Sequence, residues 1–152
     1  MNQLLVQQFI ALTADMSNFV TNLANLNALV MQSVKKVDWI GFYRYLASTN
    51  CLQLGPYQGS LACNVIPNGQ GVCGKASYTR QTQIIPDVTQ FKGHIACDSR
   101  SRSEIVVPLI QREKLIGVLD LDSNRLNAFS PHDQQILERM TSVLLENSDI
   151  IL

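Results

Sequence analysis

The hydrophobic pattern at the start of the chain predicts helix over residues 3–36, in two segments separated by a break near residues 13–18. In the second segment Leu23, Leu26 and Val30 recur at the spacing of one helix face. Such a stripe is typical of a helix that packs against a core or a dimer partner. We therefore expect this region to cover one side of the fold.

The pattern near the other end predicts a final helix with clear start signals. Ser130 has the side chain of a helix N-cap, Pro131 suits the first helical position, and Asp133 stands at the reciprocal capping position. Ile136 and Met140 then continue an apolar stripe at helical spacing. The sequence thus predicts helices at both ends of the chain.

Between these helices the pattern changes to runs of aromatic and β-branched residues bounded by turn residues, which indicates short strands. The predicted strands cover residues 39–46, 51–54, 62–66, 83–85, 104–111 and 115–121, and a short helix covers residues 72–80. A central, mainly antiparallel sheet with N- and C-terminal helices against one face predicts an α+β sandwich. At 152 residues we expect a single domain, residues 1–152.

The composition argues against several classes of protein. The formal net charge is +0, which gives no footprint for nucleic acid. No apolar run approaches the roughly 18 residues that span a bilayer, and the N-terminus lacks the pattern of a secretory signal. We therefore expect a cytoplasmic protein without nucleic acid or membrane partners, in a compartment where thiols stay reduced.

The four cysteines are then candidates for redox or metal chemistry. They are Cys51, Cys63, Cys73 and Cys97. No pair has the close spacing of a zinc knuckle, so the sequence predicts no metal site. Cys73 falls in the first turn of the predicted short helix, where the helix dipole favours a thiolate, and this makes it a candidate reactive thiol.

Three glycines before and within that helix resemble a nucleotide-binding pattern. Gly69, Gly71 and Gly74 have the spacing of the dinucleotide fingerprint, and a predicted strand precedes them. The flanking elements look like antiparallel hairpins, however, and no clear acidic residue follows at about 20 positions. We interpret the glycines as places where the backbone turns or approaches a neighbour closely.

A polar loop before the strand at residues 104–111 carries candidate chemistry. It contains His94, Cys97 and Asp98, and a loop held by a rigid strand is a common place for a site. Asp120 and Asp122 share one face of the next strand, because side chains two apart in an extended chain point the same way. Two alternatives remain open at this point. In one, the loop is an ordinary surface loop and its thiol is incidental; in the other, Asp122 only forms the turn that follows the strand.

Short motifs occur over nearly the whole chain, at residues 38–43 (Asp-Trp-Ile-Gly-Phe-Tyr), 69–74 (Gly-Gln-Gly-Val-Cys-Gly), 93–98 (Gly-His-Ile-Ala-Cys-Asp), 103–109 and 117–123. Together they resemble the GAF-domain free methionine-(R)-sulfoxide reductases. The resemblance implies a GAF fold, a homodimer, and thiol-dependent reduction of free L-methionine (R)-sulfoxide. It also implies thioredoxin as the external reductant and no bound cofactor. Val65 departs from the family, in which a basic residue is common at this position.

The resemblance implies roles for three of the cysteines. Cys97 is the attacking cysteine, Cys63 and Cys73 are the resolving or recycling partners, and Cys51 has no counterpart. Attack on the sulfoxide leaves a sulfenic acid on Cys97, which a nearby thiol converts to a disulfide that thioredoxin can reduce. The sequence leaves open whether Cys63 or Cys73 forms that disulfide.

The resemblance also implies that Glu104, Asp120 and Asp122 bind the substrate and that Trp39 forms an aromatic wall beside it. The sulfoxide oxygen must be protonated as it leaves, and crowding among the carboxyl groups would keep a proton there. Glu104 and Asp122 are the candidate proton donors. The remaining acids would select the ammonium group that a free amino acid carries.

Two other functions are alternatives for this chain: a non-enzymatic GAF sensor that binds a small molecule, and a thiol redox switch without a substrate. The pattern of three cysteines favours the enzyme over the sensor. Turnover of free methionine (R)-sulfoxide separates all three functions.

Overall fold

The computed structural model describes residues 1–95 and 97–150. Its helices are α1 (Gln3–Thr13), α2 (Phe19–Ser33), α3 (Gly71–Thr79) and α4 (Pro131–Glu146), and a 3-10 turn covers Val88–Gln90. Its strands are β1 (Trp39–Leu46), β2 (Cys51–Gln58), β3 (Val65–Pro67), β4 (Gln83–Ile85), β5 (Ser103–Gln111) and β6 (Lys114–Ser123). The predicted break in the N-terminal helix and the predicted β5–β6 hairpin are both confirmed.

The strands form one sheet in the order β3-β2-β1-β6-β5-β4, and the neighbouring strands are antiparallel. This order places β1 and β6 at the centre, and both are buried along most of their length. The α+β fold class predicted from the sequence is therefore confirmed.

Alternate residues of the central strands face two different layers, as the two-residue period of a strand requires. Ile40, Leu119 and Leu121 face α1, α2 and α4 and join the main hydrophobic core there. On the opposite face, α3 packs against β5 and β6, and its Val72 joins a second cluster that includes Val106. The N- and C-terminal helices lie against one face, as predicted, and α3, which the sequence did not assign to a face, covers part of the other.

Helices α1, α2 and α4 begin where an N-cap side chain accepts a hydrogen bond from a free backbone N–H group. At α4 the Ser130 hydroxyl accepts from the Asp133 N–H, and the Asp133 carboxylate accepts from the Ser130 N–H. Lys36 Nζ lies 2.6 Å from Asp133 Oδ2, and this ion pair links the segment between α2 and β1 to the N-cap of α4. The predicted cap and Pro131 start are confirmed.

Within residues 1–95 and 97–150, no helix has the length and apolar character of a membrane span.

The third strand is shorter than predicted. The sequence pattern predicted a strand over residues 62–66, whereas β3 begins only at Val65. The preceding residues leave the sheet, and the carbonyl of Cys63 accepts a hydrogen bond from the Tyr43 hydroxyl at 3.1 Å. The residues around Cys63 therefore form a loop at the edge of the sheet.

We expect Leu119→Ala to lower the free energy of unfolding by about 2 to 5 kcal/mol, because it empties space in the main core. Leu119 is completely buried on β6, in the strand that carries Asp120. Urea unfolding measures the effect. The matched control is Leu126→Ala, since Leu126 is 53% exposed and its truncation should cost less than about 0.5 kcal/mol. Equal losses in the two variants would contradict this account of the core.

Candidate active site

The register of three neighbouring strands brings the candidate site residues into rows on the α3 side of the sheet. Trp39 pairs with Asp122, and Asp122 pairs with Glu104, so these three side chains lie side by side across β1, β6 and β5. In the next row Gly41 pairs with Asp120. Strand pairing thus places Trp39 close to Asp120, although the two residues are 81 positions apart in the sequence.

These side chains line a cavity of about 40 Å³, which has room for only a few water molecules. The sheet and α3 form its floor and one side. Two loops close it, one between β2 and β3 and one before β5. The lining residues with candidate chemistry are Trp39, Tyr43, Cys73, His94, Cys97, Asp98, Ser101, Glu104, Asp120 and Asp122. One cavity therefore contains Cys97 and all the predicted substrate-binding residues.

The two loops are joined by a disulfide between Cys63 and Cys97, whose Cα atoms are 5.3 Å apart. Both cysteines are half-buried, so the bond lies near the surface at the cavity entrance. The sequence left two partners open for Cys97, and the structure brings Cys63 to it. Cys51 is a free thiol on β2 and does not line the cavity.

Cys73 is also a free thiol, but its environment is opposite to the one expected from the sequence. It does lie in the first turn of α3, where the dipole favours a thiolate. Burial nevertheless raises the pKa of Cys73 well above its usual value, and the nearby carboxyl groups of Asp120 and Glu104 raise it further. The prediction of an acidified thiol at Cys73 is wrong, because desolvation outweighs the dipole.

The carboxyl groups are buried against one another, and this changes their protonation. Burial raises the pKa of Glu104 well above its usual range, and the neighbouring charge of Asp122 adds to the effect. Burial and the charge of Glu104 raise the pKa of Asp120 in the same way. For Asp122 burial raises the pKa to about 6, although a hydrogen bond from Ser101 opposes the shift. The cluster is therefore able to hold a proton near neutral pH.

Trp39 is both a core residue and a wall of the cavity. Its ring is 4% exposed, stacks on Tyr57 at 5.6 Å between centroids, and donates from Nε1 to the carbonyl of Ser60 at 2.9 Å. A Cβ at Gly41 would lie 2.2 Å from Cη2 of Trp39, so only glycine leaves space for the indole. The ring is thus fixed from three sides.

Three polar residues of the cavity received no role from the sequence. Tyr43 is fully buried and burial raises its pKa, so its phenol stays protonated. His94 Nε2 lies 3.7 Å from Glu104 Oε2, and burial lowers the pKa of His94 and favours the neutral ring. Ser101 donates to Asp122. His94 was noted in the sequence as part of the polar loop, and Tyr43 had a signal as well, since it shares a strand face with Trp39 at a spacing of four residues.

A group of three buried side chains has the geometry to hold a cation, although their spacing in sequence gave no metal signal. The thiol of Cys73 and one carboxyl oxygen each of Glu104 and Asp120 lie within 4.8 Å of one another. The raised pKa values of these groups offer a different reason for their proximity, because protonated carboxyl groups and a neutral thiol can share hydrogen bonds. We derive no metal chemistry from the group.

We expect Asp122→Asn to stabilise the protein at neutral pH and to have little effect at pH 4. The folded-state pKa of about 6 exceeds the ordinary value of 3.8, so the folded protein binds more protons between these pH values. Stability is then lost as the pH rises through this window, and removing the carboxylate restores about 1 to 3 kcal/mol above it. Urea unfolding at pH 4, 5.5 and 7.5 measures the difference. Asp15→Asn, at an exposed residue, is the control. A difference that does not vary with pH would contradict the buried-charge account.

Comparison with known proteins identifies the domain and its relatives. The family model for the GAF domain matches residues 18–144. The free methionine-R-sulfoxide reductase of Escherichia coli is 45% identical over 138 residues, covering 91% of this chain and 82% of that protein. The protein of the same name from Saccharomyces cerevisiae is 44% identical over 133 residues, covering 84% of this chain and 74% of that protein.

Solved structures agree with the sequence relatives. The free methionine-R-sulfoxide reductase of Neisseria meningitidis in complex with its substrate superimposes with a TM-score of 0.91 at 40% identity, covering 94% of this chain and 85% of that chain. The reduced form of the Staphylococcus aureus fRMsr also gives 0.91, at 43% identity over 95% of this chain and 93% of that chain. With its GAF fold and these relatives, the chain belongs to the GAF-domain family of free methionine-R-sulfoxide reductases.

Proposed function

We propose that this protein reduces free L-methionine (R)-sulfoxide to L-methionine. The observation that carries the proposal is the single cavity in which Cys97 meets Glu104, Asp120 and Asp122 beside Trp39. Relatives that are named for this activity are 44–45% identical to the chain. The overall reaction converts a sulfoxide and two thiols into a sulfide, a disulfide and water, so its electrons come from the thiols.

In the first step the Cys97 thiolate attacks the sulfoxide sulfur, and the oxygen passes to the cysteine as a sulfenic acid while the sulfide leaves. The oxygen needs a proton, because it would otherwise remain too basic. Glu104 is the better donor of the two candidates. The pKa of Glu104 is raised well above its usual range, whereas that of Asp122 is about 6, which leaves Asp122 mostly ionised at pH 7.

The ionised Asp122 has a different task in this proposal. A free amino acid carries an ammonium group, and a buried carboxylate is a strong acceptor for it. The Trp39 ring offers an apolar surface to the thioether part of the substrate. Backbone N–H groups of the loop before β5 are suited to the substrate carboxylate. The site therefore favours a free amino acid over a residue in a polypeptide.

In the second step the thiol of Cys63 attacks the sulfenic acid on Cys97, which forms the S–S bond and releases water. The Cα separation of 5.3 Å between these residues supports Cys63 as the resolving partner. Cys73 is held as a neutral thiol on the cavity floor by its raised pKa, which suits packing more than attack. An external dithiol then reduces the disulfide. Thioredoxin in that role, and the homodimer, rest on the family resemblance and stay predictions.

The central test is consumption of free methionine (R)-sulfoxide by the reduced protein with thioredoxin, thioredoxin reductase and NADPH. We expect Cys97→Ser to abolish turnover, because it removes the nucleophile. Cys63→Ser should allow one stoichiometric round, since the sulfenic acid forms but is not resolved. Cys73→Ser and the remote Cys51→Ser should continue to turn over.

Two results would contradict the proposal. One is binding of the amino acid without reduction by the wild-type protein, which would favour the sensor. The other is undiminished turnover by Cys97→Ser. The (S) epimer of methionine sulfoxide serves as the substrate control.

A closed acidic pocket also predicts discrimination between free and peptide-bound substrate. We expect the rate with an N-acetylated, C-amidated methionine (R)-sulfoxide to fall about 10- to 150-fold, because a lost charged contact costs about 1.5 to 3 kcal/mol. The comparison is kcat/KM for the free and the blocked compound in the same assay. Comparable values would show that the ammonium contact is absent.

A further inference from the structure

The two loops that carry the disulfide are joined by a second, non-covalent link. The Ser60 hydroxyl, three residues before Cys63, donates to Asp98 Oδ2 at 2.6 Å. Asp98 directly follows Cys97 in the sequence. The hydrogen bond therefore runs parallel to the disulfide and connects the same two segments of the chain.

The carboxylate of Asp98 is held in place for this contact. Arg100 donates from Nε to Oδ1 at 3.1 Å and from Nη2 to Oδ2 at 2.9 Å, and its backbone N–H donates to Oδ1 at 2.9 Å. These bonds and the one from Ser60 hold the pKa of Asp98 well below its usual range, so the group is ionised at neutral pH. Hydrogen bonds to a charged acceptor are stronger than those between neutral groups.

The loop that carries Ser60 is itself fixed to the sheet. Trp39 Nε1 donates to the Ser60 carbonyl at 2.9 Å, and the Tyr43 hydroxyl donates to the Cys63 carbonyl at 3.1 Å. Both donors are buried on β1. Ser60 is thus held in a fixed position against the sheet. Its hydrogen bond to Asp98 attaches the other loop at this position.

We propose that Ser60 and Asp98 are positioning residues that keep Cys63 next to Cys97 after the disulfide has been reduced. Cys63 and Cys97 lie on two different loops, and without a link the loop that carries Cys97 would gain conformational freedom that moves its thiol away from Cys63. A retained hydrogen bond raises the effective concentration of one thiol near the other. The sulfenic acid on Cys97 then closes with Cys63, forming the S–S bond, breaking the S–OH bond and releasing water with the thiol proton.

This inference rests on the proposed function for the sulfenic acid step, but its test needs no methionine sulfoxide. The purified protein is equilibrated in mixtures of reduced and oxidised glutathione, and the fraction of Cys63–Cys97 disulfide is measured by alkylation and mass spectrometry. We expect Ser60→Ala to lower the equilibrium constant for the disulfide about 10-fold, as loss of one hydrogen bond to a charged group would. Asp98→Ala should lower it at least as much.

Two control variants separate positioning from a general loss of structure. Ser60→Thr keeps a hydroxyl and should restore the equilibrium constant to within about 2-fold of the wild type, since its donor is retained. Ser99→Ala changes an exposed serine of the same loop and should leave the constant unchanged. If Ser60→Ala does not fold, Asp98→Ala provides the same comparison.

A kinetic measurement adds a readout that a purely structural role would not change. After one equivalent of hydrogen peroxide, reduced Ser60→Ala should accumulate more dimedone adduct on Cys97 than the wild type, because the sulfenic acid waits longer for Cys63. Equal glutathione equilibria in Ser60→Ala and wild type, or an equal shift in Ser99→Ala, would overturn the inference. Failure of the reductase assay would leave the glutathione result standing, so the two proposals fail separately.

Discussion

The burial of three carboxyl groups beside one another is the constraint on which the site depends. Glu104 and Asp122 are direct cross-strand partners, an arrangement that disfavours two like charges, and Asp120 lies one row away. The sheet tolerates this because the groups retain protons or can meet a cation. The site is therefore least stable when it holds no ligand and all three carboxyl groups are ionised. Binding of a positively charged ligand or of a proton lowers its free energy.

The other parts of the site provide what the carboxyl groups lack. Trp39 and α3 exclude water from one side and the floor, which keeps the local dielectric low and the pKa values high. The two loops bring the disulfide of Cys63 and Cys97 to the open side. In the proposed reaction the carboxyl groups on the sheet donate the proton and bind the charged end of the substrate. The cysteines on the two loops supply the electrons.

Much of the fold could be predicted from the sequence because it depends on local patterns. The alternation of β6 predicted that Asp120 and Asp122 share a face, and the caps predicted the start of α4. The pairing of Glu104 with Asp122 could not be predicted in this way. Arg112 and Glu113 both have positive φ in the hairpin turn, and neither is a residue type that signals such a turn. Counting from Gln111 opposite Lys114 would pair Glu104 with Leu121, but a bulge between Leu109 and Ile110 shifts the register by one residue. The direction of the pKa shift of Cys73 was predicted wrongly for another reason. The position of Cys73 in its helix is a local property of the sequence, whereas its burial depends on the packing of α3 against β5 and β6.

The disulfide between the two loops has a consequence for the order of events. In the proposed reaction each turnover leaves Cys97 without a thiolate, so the oxidised form must be reduced before it acts on another sulfoxide molecule. Sulfoxide and reductant would then react with different chemical forms of the protein in strict alternation. A double-displacement rate law, with no ternary complex, follows from this one bond.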